Sequence, residues 1–121
     1  MSELRTMEQR VTDIIKEIGV PAHLKGYYYV RDAILLVIEN DDFLRGVTTK
    51  LYPLIAENHN TSASRVGRDI WHCIDAARRR GNTTFINHLF GPGKADKGIG
   101  RKEFITRIAE LVRMGTDVDS L

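Results

Sequence analysis

The chain has 121 residues, 42% of them hydrophobic and 28% charged, enough for one domain with a buried core and too apolar for a disordered chain. Its formal net charge of +2 is too small to argue for a nucleic-acid partner, so only the placement of charge is informative. No apolar run approaches the 18 residues needed to span a membrane, residues 1–10 hold no signal-peptide core, and the single cysteine cannot form an internal disulfide, which fits a reducing, cytoplasmic setting.

Taken in order, residues 3–18 place Leu4, Met7, Val11, Ile14, Ile15 and Ile18 at three- and four-residue steps, which predicts a helix with one apolar face. Gly19 stops it and Pro21 prevents continuation. Tyr27 to Glu39 is the most hydrophobic helix, apolar round most of its circumference, and belongs at the centre of the fold. Tyr27, Tyr28 and Tyr29 face three directions, so at least one is core and one surface. Asn40, Asp41 and Asp42 end that helix and can cap a short turn.

Val47 to Asn58 again has helical spacing through Val47, Leu51, Leu54 and Ile55. Pro53 either kinks it or begins its second part as a first-turn proline. Asn58, His59 and Asn60 are turn residues, and Thr61 or Ser62 caps the next helix. Residues 62–80 form that helix, which is amphipathic. Ala63, Val66, Ile70, Cys73, Ile74 and Ala77 share its apolar side, while Ser64, Arg65, Arg68, His72, Asp75 and Arg79 lie opposite with Trp71 on the flank. Such a face suits the major groove of DNA, or it is a solvated surface. The segments at 47–80 have the outline of a helix-turn-helix, which many bundles share.

Gly81 and Asn82 end the basic helix, and Thr83 to Phe90 forms a short helix over the core. The glycine-rich G-P-G-K-A-D-K-G-I-G-R is expected to be a mobile loop. Glu103 to Met114 is a last helix, followed by an acidic tail expected to fray. The expected fold is thus all-α, a bundle of about six helices in a single domain over residues 1–121. Positive charge is local. Residues 61–81 hold five arginines against Asp69 and Asp75, and residues 94–107 hold Lys94, Lys97, Arg101, Lys102 and Arg107 against Asp96 and Glu103.

Catalytic and metal motifs are missing. His72 and Cys73 are adjacent on a helix and point about 100° apart, so they cannot act as a base–nucleophile pair. His23, His59, His72 and His88 have no ligand spacing, and the glycine-rich stretch lacks a P-loop ending. No enzyme, cofactor or metal is expected.

Several separated motifs carry a resemblance: I-I-K-E-I-G-V-P-A-H-L-K-G-Y-Y-Y-V-R-D-A-I at 14–34, L-Y-P-L-I-A at 51–56, N-T-S-A-S-R-V at 60–66, R-R-G-N at 79–82 and L-F-G at 89–91. In this order they resemble the C-terminal DNA-binding effector domain of the stage zero sporulation protein A family, the response regulators of entry into sporulation. The resemblance implies an all-helical domain of about six helices whose fourth is the recognition helix. It implies binding to double-stranded DNA boxes of the TGTCGAA kind, often as side-by-side copies. Arg68 matches the family's first base-reading arginine, Gly67 stands where the family has a glutamate, and Trp71 stands in place of its second base-reading arginine. Asp69 adds a negative charge. On this basis Arg68, Trp71 and His72 are expected to meet base edges, and Ser64, Arg65, Lys94, Lys97, Arg101 and Lys102 the backbone. Two further readings stay open. The chain is either an excised effector domain or a standalone paralogue, and it either binds DNA, as one copy or two, or pairs with a protein such as the full-length response regulator.

Overall fold

The structure, a computed structural model, describes residues 6–121, which form seven α-helices and no strand. Leu4, expected in the first apolar face, lies outside the described residues.

Helix α1 (Met7–Ile18) starts at Thr6, whose side chain and that of Gln9 cap each other's backbone amides. Val11, Ile14, Ile15 and Ile18 are fully buried, whereas Met7, expected on the same apolar face, is 46% exposed. The chain leaves α1 through Gly19, whose φ of 101° is left-handed.

Helix α2 (Lys25–Glu39) is the central element, packed against α1, α4 and α7. Tyr27 and Tyr29 are buried in it and Tyr28 faces out. Gly26 sets how closely it meets the basic helix: a Cβ there would lie 2.2 Å from the Asp69 carbonyl oxygen and 2.7 Å from Cys73 Sγ. Only a residue without a side chain permits that approach.

Asn40 then accepts a hydrogen bond from the Asp42 amide at 3.0 Å and caps a 3₁₀ turn at Asp41–Arg45. Pro53 divides the next segment. Residues Val47–Leu51 form a wide π turn, with the Leu51 amide donating to the Gly46 carbonyl, and α3 (Tyr52–Asn58) carries Pro53 in its first turn. The physical reason is that Pro53 has no N–H and its ring crowds the carbonyl of Thr49, four residues back.

Helix α4 (Ala63–Arg80) comes after a connection of four residues in which Asn60 has a φ of 55°. Ser62 is the cap, accepting from the Arg65 amide at 3.2 Å. Val66, Ile70, Cys73, Ile74 and Ala77 enter the core as expected. The helix ends where Gly81 abuts Gly19; a Cβ on Gly19 would lie 2.6 Å from the Gly81 Cα. Asn82 caps α5 (Thr83–Phe90), where Phe90 stacks on Phe104 of α7 (Arg101–Arg113) with ring centroids 5.3 Å apart.

Two expectations are corrected. The glycine-rich stretch is pinned rather than mobile. It holds a one-turn helix, α6 (Lys94–Lys97), with Ala95 and Ile99 buried, because Arg78 donates to the Ala95 and Asp96 carbonyls and Asn87 accepts from the Ala95 amide. The tail is seated rather than frayed. Arg10 pairs with Asp117 at 3.3 Å, and Val118 and Leu121 pack against the core.

Candidate nucleic-acid interface

With one side of α4 buried against α2 and α3, the opposite side is left to solvent. Ser64, Arg65, Arg68, Trp71, His72 and Arg79 are all exposed there. Half of the Trp71 surface is accessible, and its ring meets His72 edge-on with centroids 5.3 Å apart. The indole is the one large apolar side chain left this open on a face of α4 otherwise clad in charged and polar groups. Asp75 sits between Arg78 at 3.0 Å and Arg79 at 3.1 Å, so its negative charge is compensated within the helix. Arg78 is therefore a structural arginine, joining α4 to α6, and not a free cation of the outer face.

The expected backbone-contacting residues are only partly brought together. Ser64 and Arg65 share the exposed side with Arg68. Lys97 is exposed on α6, beside the α4 C-terminal half through the Arg78 bonds. Lys94 is paired with Glu103 at 3.0 Å. Lys102 stands apart from the α4 face and lines clefts that α7 shares with α5 and with the 3₁₀ turn after α2.

Arg101 has a role that sequence reasoning missed. It reaches across from α7 to α4, donates from Nη1 to the Gly67 carbonyl at 3.0 Å, and lies 5.8 Å from the centre of the Tyr52 ring. Gly67 is buried beneath it: a Cβ there would be 3.0 Å from Arg101 Nη1 and 3.0 Å from Tyr52 Cε2. Gly67 is thus the seat of a side chain from elsewhere and not an empty place on the exposed side of α4. The two residues are 34 positions apart, and no local pattern links them. Burial raises the Tyr52 pKa, with the Arg101 charge pulling the other way.

Cys73 is fully buried, and desolvation, aided by the Asp69 charge, pushes its thiol up to about 12, the opposite of an activated nucleophile. Among the described residues no three His, Cys, Asp or Glu side chains converge as a metal site, and no helix is long and apolar enough to cross a membrane.

The fold and this surface define a small all-helical domain that packs one long helix by its apolar side and presents its basic side outward. The family model described as Sporulation initiation factor Spo0A C terminal matches residues 11–112, and the chain belongs to that family. The family is one of DNA-binding effector domains and not of enzymes.

Proposed function

We propose that this domain is a sequence-specific transcription regulator that reads the major groove with α4. In this reading α3, the four-residue connection and α4 act as a helix-turn-helix, with α3 bracing the helix that enters the groove. Arg68 donates to O6 and N7 of a guanine, a pairing worth roughly 1–3 kcal/mol of discrimination. Trp71 meets a thymine methyl or a sugar, and His72 a neighbouring base edge. Ser64 and Arg65 hold the backbone at the start of α4, where exposed amides also favour phosphate. Lys97 extends the contact along the flank, with Lys94 and Lys102 further out. Arg101 steadies α4 against α7 and keeps its remaining donors for phosphate. Two copies side by side would double the area and charge available to one small domain.

The observation that carries this reading is the segregation of α4, with Val66, Ile70 and Cys73 fully buried and Ser64, Arg65, Arg68, Trp71 and His72 all exposed. Fluorescence anisotropy with a duplex carrying a TGTCGAA-type box, the same duplex scrambled and a random duplex tests it. Tighter binding to the box supports specific readout. A half-exposed Trp71 beside Asp69 favours a second reading, an interaction module that pairs with the full-length regulator. That reading predicts no DNA binding even at low salt, where electrostatic attraction is strongest.

A further inference from the structure

Two supports tie α4 to α2. One is the close crossing at which Gly26 meets the Asp69 carbonyl. The other lies just ahead of α4, at His59, the first residue of the connection that follows α3. His59 Nε2 meets Asp32 Oδ2 at 2.5 Å, and its ring packs edge-on against Tyr29 with centroids 5.0 Å apart. Tyr29 is buried and stands three residues before Asp32, so the two share a face of α2 and grip one imidazole between them.

The backbone that carries this imidazole turns sharply into α4. The His59 amide donates to the Ile55 carbonyl at 3.0 Å, Asn60 has a left-handed φ of 55°, and the Thr61 amide donates to the Ala56 carbonyl at 2.9 Å. Ser62 then caps α4. Where the imidazole is held therefore decides where α4 begins. Ser62 and Asp69 are about 10 Å apart along the helix axis at 1.5 Å per residue. The crossing at Asp69 acts as a pivot, and the hold on His59 sets the tilt about it. Ser64 and Arg65, far from the pivot, move most when the tilt changes.

The strength of this hold depends on a proton. A carboxylate and a neutral imidazole share a hydrogen bond, whereas a carboxylate and an imidazolium form a stronger ion pair. Each of the two side chains is 31% exposed, so water screens the pair only in part. Lys25 and Arg65 supply cations to the cleft that His59 lines, His23 and Tyr28 are its other titratable groups beside Tyr29, and Asp32 is the carboxylate that meets the ring.

We propose that Asp32 is a positioning residue for DNA binding, which acts through His59 to aim the first turns of α4 and holds them more firmly when the imidazole is protonated. The inference rests on the DNA-binding reading of α4. Neither residue touches DNA in this account.

A double-mutant cycle tests it: wild type, Asp32→Asn, His59→Gln and the double variant, each titrated with a random duplex at low salt, at about pH 6 and about pH 8. The cycle cancels the effect of each charge change on its own. The pair should show a coupling in DNA affinity of roughly two- to five-fold at the lower pH, smaller at the higher pH, where histidine is neutral. Additive affinities, or coupling in urea stability with none in affinity, would overturn the proposal and leave α4 as the DNA-binding element. A His59→Gln loss that flattens the salt slope whether or not Asp32 is present would make His59 a phosphate contact and also overturn it. Absence of DNA binding by the wild type overturns the DNA reading together with this inference. In the free wild-type protein, which needs no variant to fold, the Ser62, Ala63 and Ser64 amide resonances should follow the titration of the His59 ring; amides that ignore it contradict the coupling.

Discussion

Arg101 is the residue whose removal should be most informative about how α4 is held. Arg101→Ala deletes a charge-assisted hydrogen bond to the Gly67 carbonyl at 3.0 Å and a cation–ring contact with Tyr52 at 5.8 Å. A hydrogen bond to a charged group contributes roughly 1.5–3 kcal/mol, and a partly exposed cation–ring contact about 0.5–1 kcal/mol. The guanidinium is only half-buried and the Gly67 carbonyl keeps its helical position, so the net loss should be about 1–2 kcal/mol. For a domain of this length that lowers the melting temperature by roughly 3–10 °C. Gly67→Ala supplies the second arm. Alanine gains about 1 kcal/mol of helix propensity over glycine, against crowding by Arg101 Nη1 and Tyr52. With Arg101 removed, half of that crowding disappears, so Gly67→Ala should be more favourable in Arg101→Ala than in wild type. Urea unfolding of the four proteins, at unchanged m value, reads the coupling. Strict additivity, with no loss from Arg101→Ala alone, would refute the seat of Arg101 on Gly67.

Gly26→Ala should destabilise the domain by about 2–3 kcal/mol, since its Cβ would meet backbone of α4 that has nowhere to move; near-native urea stability would contradict the close crossing of α2 and α4. Cys73 should resist thiol reagents at pH 8 in the native protein and react at once when unfolded. Its folded pKa of about 12 lies above the ordinary 9.0, so its contribution to stability is complete below about pH 9 and is lost as pH rises toward 12. Melting temperatures across that range, compared with Cys73→Ala, read the difference. Arg78→Ala should release the stretch from 91 to 100 and make it the first site of limited proteolysis, because the two carbonyl bonds that hold α6 are gone; an unchanged cleavage pattern would show that other contacts hold it.

Much of the fold is legible in the sequence because its determinants are local. The three- and four-residue spacing of Val11, Ile14, Ile15 and Ile18 gives α1, Gly19 its end, and Ser62 the start of α4. Pro53 is legible as a discontinuity, although the π turn before it is not. Long-range contacts are invisible to periodicity. The glycine-rich stretch is ordered by Arg78 and Asn87, the tail by Arg10, and the crossing of α2 by a glycine that meets Asp69. The candidate site divides in the same way. Ser64, Arg65, Arg68, Trp71 and His72 are placed by the geometry of a single helix. The Arg101–Gly67 pair depends on how helices distant in sequence meet.

Base reading by Arg68 of α4, as proposed, can be tested by selecting bound duplexes from a random DNA pool with wild-type protein and Arg68→Ala in parallel. The wild type should enrich one motif, and Arg68→Ala should lose preference at a single guanine with the neighbouring positions kept. No enriched motif, or the same motif weakened evenly at every position, would contradict it.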